Sequence, residues 1–298
     1  MTKCGFIAIV GAPNAGKSTL VNRLVGSKVS IVSPKVQTTR TRVLGIAMIE
    51  SEGAQAIFID TPGIFQPKQR IERAMVRAAW GGAADADMVA MVVDARKGRD
   101  EDVDRIVAGL KEAGRRAFLL LNKIDLVKRE QLLGLAASLH QEGIFDDVFM
   151  ISAEKGDGTD DFLNHCARLL PEGPWHYPED QLSDMPQRIL AAEITREQLF
   201  NRLHQELPYA ALVESERWEE REDGSCRIDQ TIYVRRESQK AIVLGKGGAQ
   251  IKAIGASARK ELERLLERSV HLFLFVKVRE DWPDDRQRYA DLGLDYDA

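Results

Sequence analysis

The chain has 298 residues, 44% hydrophobic and 30% charged, enough apolar material for a core and enough charge for a wetted surface, so disorder as the main state is excluded. At roughly 100–200 residues per domain, this length predicts two domains. Lysine plus arginine (42) nearly balances aspartate plus glutamate (46), and the net charge of −4 excludes a globally basic nucleic-acid coat while allowing a local basic patch.

Short apolar runs at 6–10, 43–49, 56–59, 88–93, 117–121 and 148–151 alternate with amphipathic stretches at 71–80, 101–113, 131–142 and 159–170. The alternation predicts an α/β fold with a mostly parallel sheet, and the near-continuous apolar runs predict that both faces are covered. Gly11 and Pro13 follow the first run at once, so it reads as a strand rather than a signal peptide. No run approaches the ~18 apolar residues of a membrane span. Pro171, Pro174, Pro178 and Pro186 crowd the stretch 171–186, which predicts a linker with few hydrogen-bonded elements. Next come a helix at 188–205, strands at 212–221 and 226–234 around a turn at Asp223 and Gly224, a short helix, a glycine turn, a long helix at 251–268 and a strand at 270–278. Helices and strands no longer alternate one for one, so this is a separate, smaller α+β domain. The expected bounds are 1–170, linker 171–186, second domain 187–280 and acidic tail 281–298. Cys4, Cys166 and Cys226 lie far apart with no C-x-x-C spacing, against both a disulfide framework and a zinc site; a reduced cytosolic compartment is the default.

Gly11-Ala12-Pro13-Asn14-Ala15-Gly16-Lys17-Ser18 follows the first strand and opens a helix, the pattern of a phosphate-binding loop. Its glycines let backbone N–H groups curl toward phosphates at the positive end of a helix. Lys17 is expected to bring charge to the β- and γ-phosphates, and Ser18 a hydroxyl to Mg²⁺. In the loop 37–42, Thr39 is the candidate that completes the Mg²⁺ shell only when a γ-phosphate is present, although Thr38, Thr39 and Thr41 also suit entry into a strand. Asp60-Thr61-Pro62-Gly63 ends the third strand, placing Asp60 to hold the metal through water and Gly63 to sense the γ-phosphate. An Asp-x-x-Gly arises about once by chance in such a chain and often makes a plain β-turn, so its weight comes from position.

Asn122-Lys123-Ile124-Asp125 ends the run 117–121. A carboxylate there accepts from both N1–H and the N2 amino group of guanine, whereas adenine would leave it buried and unpaired. Ser152 and Ala153, after the run 148–151, are expected to offer a backbone N–H to guanine O6. Lys17, Thr39, Asp60 and Gly63 are the expected catalytic set. Gly245-Lys246-Gly247-Gly248 is weak alone, but an apolar triplet precedes it, and Ile251, Ile254 and a long helix follow. Such glycines let a nucleic-acid backbone approach while Lys246, with Lys240 and Lys252 nearby, meets phosphate. The stretch 235–279 holds eleven basic residues against four acidic ones, a net of +7. From 280 to 298 there are seven acids and two arginines, a tail that either covers a basic surface or, as expected here, solubilises the terminus.

The order GAPNAGKS, QTTRTR, DTPG, NKID, SAEKG and then GKGG resembles the Era family of bacterial GTPases over essentially the whole chain. Glu206-Leu207-Pro208-Tyr209 also matches that family's entry into its second domain. The resemblance implies a Ras-like GTPase domain followed by a type II KH domain, GTP/GDP and Mg²⁺ as ligands, and binding to the 3′ end of 16S ribosomal RNA in assembly of the 30S subunit. It further implies a cytoplasmic protein with peripheral association at the inner face of the cell membrane, for which no lipidation motif or basic amphipathic helix speaks. A monomer is expected. Ile64 stands where Ras-type enzymes carry a water-orienting glutamine, so slow hydrolysis is expected. Asn14 matches the asparagine with which related GTPases hold K⁺. Other readings are a P-loop kinase or ATPase, an RNA-binding module with a degenerate nucleotide fold, a tRNA-modification or transport GTPase, and a GTPase acting on another RNA or at the membrane in cell-cycle control. Asn122 and Asp125 speak against the first; Lys17, Ser18 and Asp60 against the second.

Overall fold

The computed structural model describes residues 2–35, 38–203, 207, 211–280, 286, 289 and 294–298. Gln37, the expected helix end at 204–205, and Glu206, Pro208 and Tyr209 lie outside the described residues. So do Asp281, Asp284, Asp285 and Asp291 of the acidic tail. The chain forms two units, one of 1–30, 39–184 and 289–298, the other of 31–38 and 185–288.

The first unit contains β1 (Lys3–Gly11), α1 (Lys17–Val25), β2 (Val43–Ile49), β3 (Ala54–Asp60), α2 (Arg70–Asp85), β4 (Met88–Asp94), α3 (Glu101–Glu112), β5 (Ala117–Asn122), α4 (Arg129–His140), β6 (Phe145–Ile151) and α5 (Thr159–Leu169). Its six strands run β2-β3-β1-β4-β5-β6, all parallel except β2, which pairs antiparallel with β3. One sheet face packs Ile57, Met91 and Leu119 against Ala79 and Ala83 of α2 and Ile106 and Leu110 of α3. The other packs Ile9, Phe58 and Leu120 against Leu20 of α1 and Phe162 of α5. Helix α3 buries Val103, Ile106, Val107 and Leu110, the 3.6-residue stripe that drew the helical reading, and Asp100 caps it by accepting from the Val103 N–H at 2.9 Å.

The Pro-rich stretch forms no helix or strand, yet it is hydrogen-bonded along the first unit. The Pro171 carbonyl accepts from Cys4 N–H at 3.1 Å, and the Leu182 carbonyl from Ile46 N–H at 2.9 Å. Gln55, fully buried in β3, accepts from the N–H groups of His176 and Tyr177 at 2.9 and 3.1 Å and donates to the Tyr177 carbonyl at 2.8 Å. A buried amide must find such partners, and prolines elsewhere in the stretch do not remove the donors it uses.

The second unit contains α6 (Gln187–Arg202), β7 (Leu212–Glu220), β8 (Cys226–Val234), α7 (Glu237–Leu244), α8 (Ala249–Leu266) and β9 (Val270–Val278). Strands β7 and β8 pair antiparallel, β8 and β9 parallel, in the order β7-β8-β9. Residues 31–38 belong to this unit: Ile31 is buried with Ala191 and Ile194, the Val32 N–H donates to Glu197 Oε1 at 2.8 Å, and Arg196 Nη2 donates to the Thr38 carbonyl at 2.6 Å. All three cysteines are free and buried. Among the described residues, no helix is long and apolar enough to cross a membrane.

Phe162 is fully buried and sits 5.4–6.5 Å, ring to ring, from Phe149, Phe118 and Phe58. Phe162→Ala should destabilise the first unit by about 3–5 kcal/mol, through lost burial plus the cavity left behind. The measurement is amide exchange of β1 and β3 under native conditions; a loss below about 1 kcal/mol would refute this packing.

Candidate functional site

All the expected nucleotide-site residues lie in the first unit; Thr39 precedes β2, and the others lie at or after the carboxyl ends of β1, β3, β5 and β6 or open α1 after β1. The phosphate-binding loop leaves β1 and enters α1 through Gly16, whose φ of 99° is left-handed. A Cβ at Gly16 would stand 2.2 Å from Asn122 Nδ2, so glycine is required twice over, for backbone and for space. Asn14 also has positive φ, 62°, and its carbonyl accepts from Lys123 Nζ at 2.7 Å.

Asn122 joins three loops. Its Nδ2 donates to the Ala15 carbonyl at 2.8 Å, while its Oδ1 accepts from Lys123 N–H at 2.8 Å and Ala153 N–H at 2.9 Å. Lys123 Nζ also pairs with Asp94 Oδ2 at 2.7 Å, a carboxylate not identified from the sequence. Asp125 Oδ1 accepts from Ser152 Oγ at 2.8 Å, and Lys155 lies 3.4 Å from its other oxygen. The Ser152 hydroxyl, then Lys155, hold the Asp125 carboxyl below its ordinary range, so it is ionised and ready to accept.

The loop after β6 differs from expectation in one respect. The Ser152 N–H donates to the Asp157 carbonyl at 2.9 Å, and the Ala153 N–H goes to Asn122, so both N–H groups expected at guanine O6 are engaged within the protein. The physical reason is local: buried backbone donors find partners inside the loop.

Lys17 is buried, and its Nζ donates to the Gly11 and Ala12 carbonyls at 3.1 and 3.0 Å. Burial pushes its pKa down to about 8, with Asp60 opposing the shift. Asp60 is fully buried and burial pushes its carboxyl up, while its Oδ2 accepts from Ser18 Oγ at 2.7 Å, Ser30 Oγ at 2.6 Å and, more weakly, Thr39 Oγ1 at 3.5 Å. The Ser18 and Thr39 hydroxyls are 2.9 Å apart. Asp60 Oδ1 is buried with no partner among the described residues. A carboxylate oxygen left bare beside two hydroxyls fits a hard divalent cation with oxygen ligands, so the residues present suit Mg²⁺. Ser30 was not singled out from the sequence. Its position is set by Asn22, whose Oδ1 accepts the Val29 and Ser30 N–H groups, both at 2.9 Å.

Thr61 Oγ1 donates to the Ile9 carbonyl at 2.7 Å. A Cβ at Gly63 would stand 2.9 Å from Pro13, so this turn lies against the phosphate-binding loop. Ile64 donates its N–H to the Gly11 carbonyl at 3.1 Å and its side chain is fully buried in the core. It offers no polar group to water.

In the second unit, the glycine turn lies between α7 and α8. Gly245, Gly247 and Gly248 have φ of 72°, 60° and 77°, values an L side chain rarely adopts, and Lys246 is exposed at the apex. Lys252 is exposed on the first turns of α8, and Lys240 on α7 is half-buried, 3.9 Å from Glu237. Several arginines counted in the positive stretch are paired, Arg264 with Glu261 at 2.9 Å and Arg268 with Glu220. Among the described residues, Lys246 and Lys252 have no carboxylate partner, which concentrates free charge at the turn. Ile242 beside it is 56% exposed.

The 50S ribosome-binding GTPase family matches residues 6–123, and the KH domain family matches residues 206–283. The chain is 60% identical over 295 residues to GTPase Era of Sinorhizobium medicae and to that of Rhizobium meliloti, covering 99% of this chain and 94% of each relative. Aquifex aeolicus Era bound to GDP·AlF4⁻ superposes with a TM-score of 0.92 at 38% identity, covering 98% of this chain and 99% of that one. A second solved structure, of Era with MgGDPNP and nucleotides 1506–1542 of 16S ribosomal RNA, gives the same TM-score, identity and coverage.

Asp125→Asn replaces an acceptor by an amide while keeping an oxygen for Ser152. GTP binding should weaken at least tenfold, and xanthosine triphosphate, whose C2 carbonyl now meets a donor, should bind better than to the unaltered chain. Titration with both nucleotides decides; unchanged GTP affinity with no gain for xanthosine triphosphate would remove Asp125 from the base site.

Proposed function

The chain belongs to the Era family of bacterial GTPases, and from that premise we propose that this GTP-hydrolysing protein binds the 3′ end of 16S ribosomal RNA through its second unit and assists assembly of the 30S subunit. The observation that carries the reading is the glycine turn with Lys246 and Lys252, which have no carboxylate partner among the described residues, in one chain with a guanine-reading site. The relative solved with MgGDPNP and a 16S ribosomal RNA fragment supports it. A cytoplasmic location and a monomeric state belong to the same proposal.

In the mechanism, Asn122 and Lys123 hold the base loop against the phosphate-binding loop, and Asp125 accepts from N1–H and the N2 amino group of guanine. The N–H groups of residues 11–18 and Lys17 Nζ meet the phosphates, Lys17 exchanging its carbonyl partners for phosphate oxygens. Ser18, Thr39 and Asp60 would hold Mg²⁺, which supplies charge neutralisation at the β- and γ-oxygens when bound. Thr39 reports the γ-phosphate from one side and the Gly63 N–H from the other. Ile64 leaves the attacking water unoriented, so intrinsic turnover is slow. K⁺ held at Asn14 would add positive charge beside the phosphates. Exchange of K⁺ for Na⁺ in single-turnover assays should lower hydrolysis at least threefold; equal rates in the two salts would refute the K⁺ site.

The RNA reading is tested by the double variant Lys246→Asp, Gly247→Asp. A Cβ at Gly247 meets nothing within 4 Å, and aspartate is among the residues that tolerate its φ, so the unit should stay folded. Affinity for a 3′-end 16S ribosomal RNA oligonucleotide should fall at least tenfold. The slope of log affinity against log salt should flatten by about 0.7 per lost phosphate contact. GTP affinity should hold. A folded double variant that keeps wild-type RNA affinity and salt slope would overturn the assignment of this turn.

A further inference from the structure

The last ten residues, 289–298, follow the second unit in sequence but belong to the first. Tyr289 and Leu294 are buried, 2% and 6% exposed, in a cluster with Ala74 and Met75 of α2. Arg70, Arg73 and Arg77 recur at spacings of three and four along α2 and so share one side of the helix. Each meets the C-terminal segment: the Arg70 guanidinium lies 4.5 Å over the Tyr296 ring, Arg73 Nε lies 3.5 Å from the Ala298 carbonyl oxygen, and Arg77 Nη1 lies 3.2 Å from Asp295 Oδ2. Among the described residues, Asp295, Tyr296 and Ala298 thus lie against three arginines on one side of α2.

The Arg77–Asp295 pair is more than half exposed on both sides and is worth little by itself. The buried Tyr289 and Leu294 carry the attachment, and the charges set its register. Helix α2 begins seven residues after Gly63. Its first turn is fastened by Glu72, which accepts from the N–H groups of Lys68 and Gln69 at 2.6 and 3.0 Å. Whatever steadies Arg70 therefore steadies Lys68 and Gln69, the last residues of the stretch that leads from Gly63, the γ-phosphate sensor, into α2.

We propose that the C-terminal segment is a strap that fastens α2 and so pre-orders the stretch between Gly63 and α2 at the GTPase site. Ordering before the reaction spares the entropy of ordering during it, so release of the strap slows hydrolysis without touching the guanine or β-phosphate contacts. The proposal rests on the GTPase reaction and is independent of RNA binding.

Three forms of the GDP-bound full protein test it: wild type, Leu294→Asp, and a chain ending at 288. Amides of 71–78 should exchange at least tenfold faster in both altered forms, while Leu294→Met should keep wild-type protection. GDP affinity should stay within twofold, and single-turnover GTP hydrolysis should slow at least threefold. A synthetic peptide of residues 286–298, added to the shortened chain, should restore both protection and rate. Unchanged α2 exchange after removal of the segment would overturn the strap. Faster exchange with unaltered turnover would overturn its link to the stretch between Gly63 and α2. Loss of GDP affinity in step with turnover would show a general structural role instead and would overturn the proposal equally.

Discussion

The nucleotide site depends on one side-chain amide. Asn122, 2% exposed, satisfies a carbonyl in the phosphate-binding loop, a backbone N–H at the end of β5 and another in the loop after β6. These segments are separated by 31 and 107 residues in sequence, yet their spacing is set by three hydrogen bonds from one planar group. In a buried setting each is strong, and leaving any unmade costs about 1–3 kcal/mol. Asparagine is needed because the group must donate on one side and accept on the other, which aspartate or leucine cannot do. Gly16 completes the arrangement by leaving the amide its space. The base-reading loop and the phosphate loop are thereby held in register before a nucleotide arrives, so binding does not have to order them.

The cation and phosphate side is built on the opposite principle. Lys17 and Asp60 are both buried, and burial disfavours the charged form of each. For Lys17 the sign is direct: its pKa near 8 lies below the ordinary 10.5, so the folded chain binds fewer protons than the unfolded chain between those values. Stability contributed by this group therefore rises as pH climbs from about 8 toward 10.5, and below pH 8 the buried ammonium is a cost. Phosphate oxygens on Lys17 and a cation on the bare Asp60 Oδ1 would relieve both groups. The base side is satisfied without ligand; the phosphate side is completed by it.

Much of this was legible in the sequence because it is local. Strands β2, β8 and β9 coincide with their apolar runs to the residue, and β3 is longer than its run only by Ala54, Gln55 and Asp60. The four strand-end motifs lie where a parallel sheet must put them. What escaped was long-range pairing. Ser30 and Asn22 look like ordinary helix and loop residues until Asp60, far along the chain, is brought against Ser30. The prolines of 171–186 concealed a hydrogen-bonded strap whose signal lay elsewhere, in Gln55, a lone amide within a strand whose other residues up to Asp60 are apolar. Residues 31–38 read as part of the first domain because they are contiguous with it, yet the burial of Ile31 and the carboxylate of Glu197 draw them into the second unit. Periodicity reports which face of an element is apolar; it carries no address for the partner.

The same distinction bears on how the two activities share one chain. Residue 38 ends a segment counted with the second unit, and residue 39 carries the hydroxyl that joins Ser18 and Asp60. A single peptide bond thus separates a carbonyl held by Arg196 from a side chain hydrogen-bonded to Ser18 and Asp60. That bond is planar, so the Thr39 amide nitrogen is fixed in the same plane as the carbonyl that Arg196 holds. Arg196 is itself almost fully buried and paired with Glu193, so it cannot simply turn to solvent when Thr38 is withdrawn. The Thr38 carbonyl is one of two acceptors of Arg196 Nη2, the other being Glu193 Oε2, so the segment that leads to Thr39 is anchored by a buried guanidinium already committed to a carboxylate.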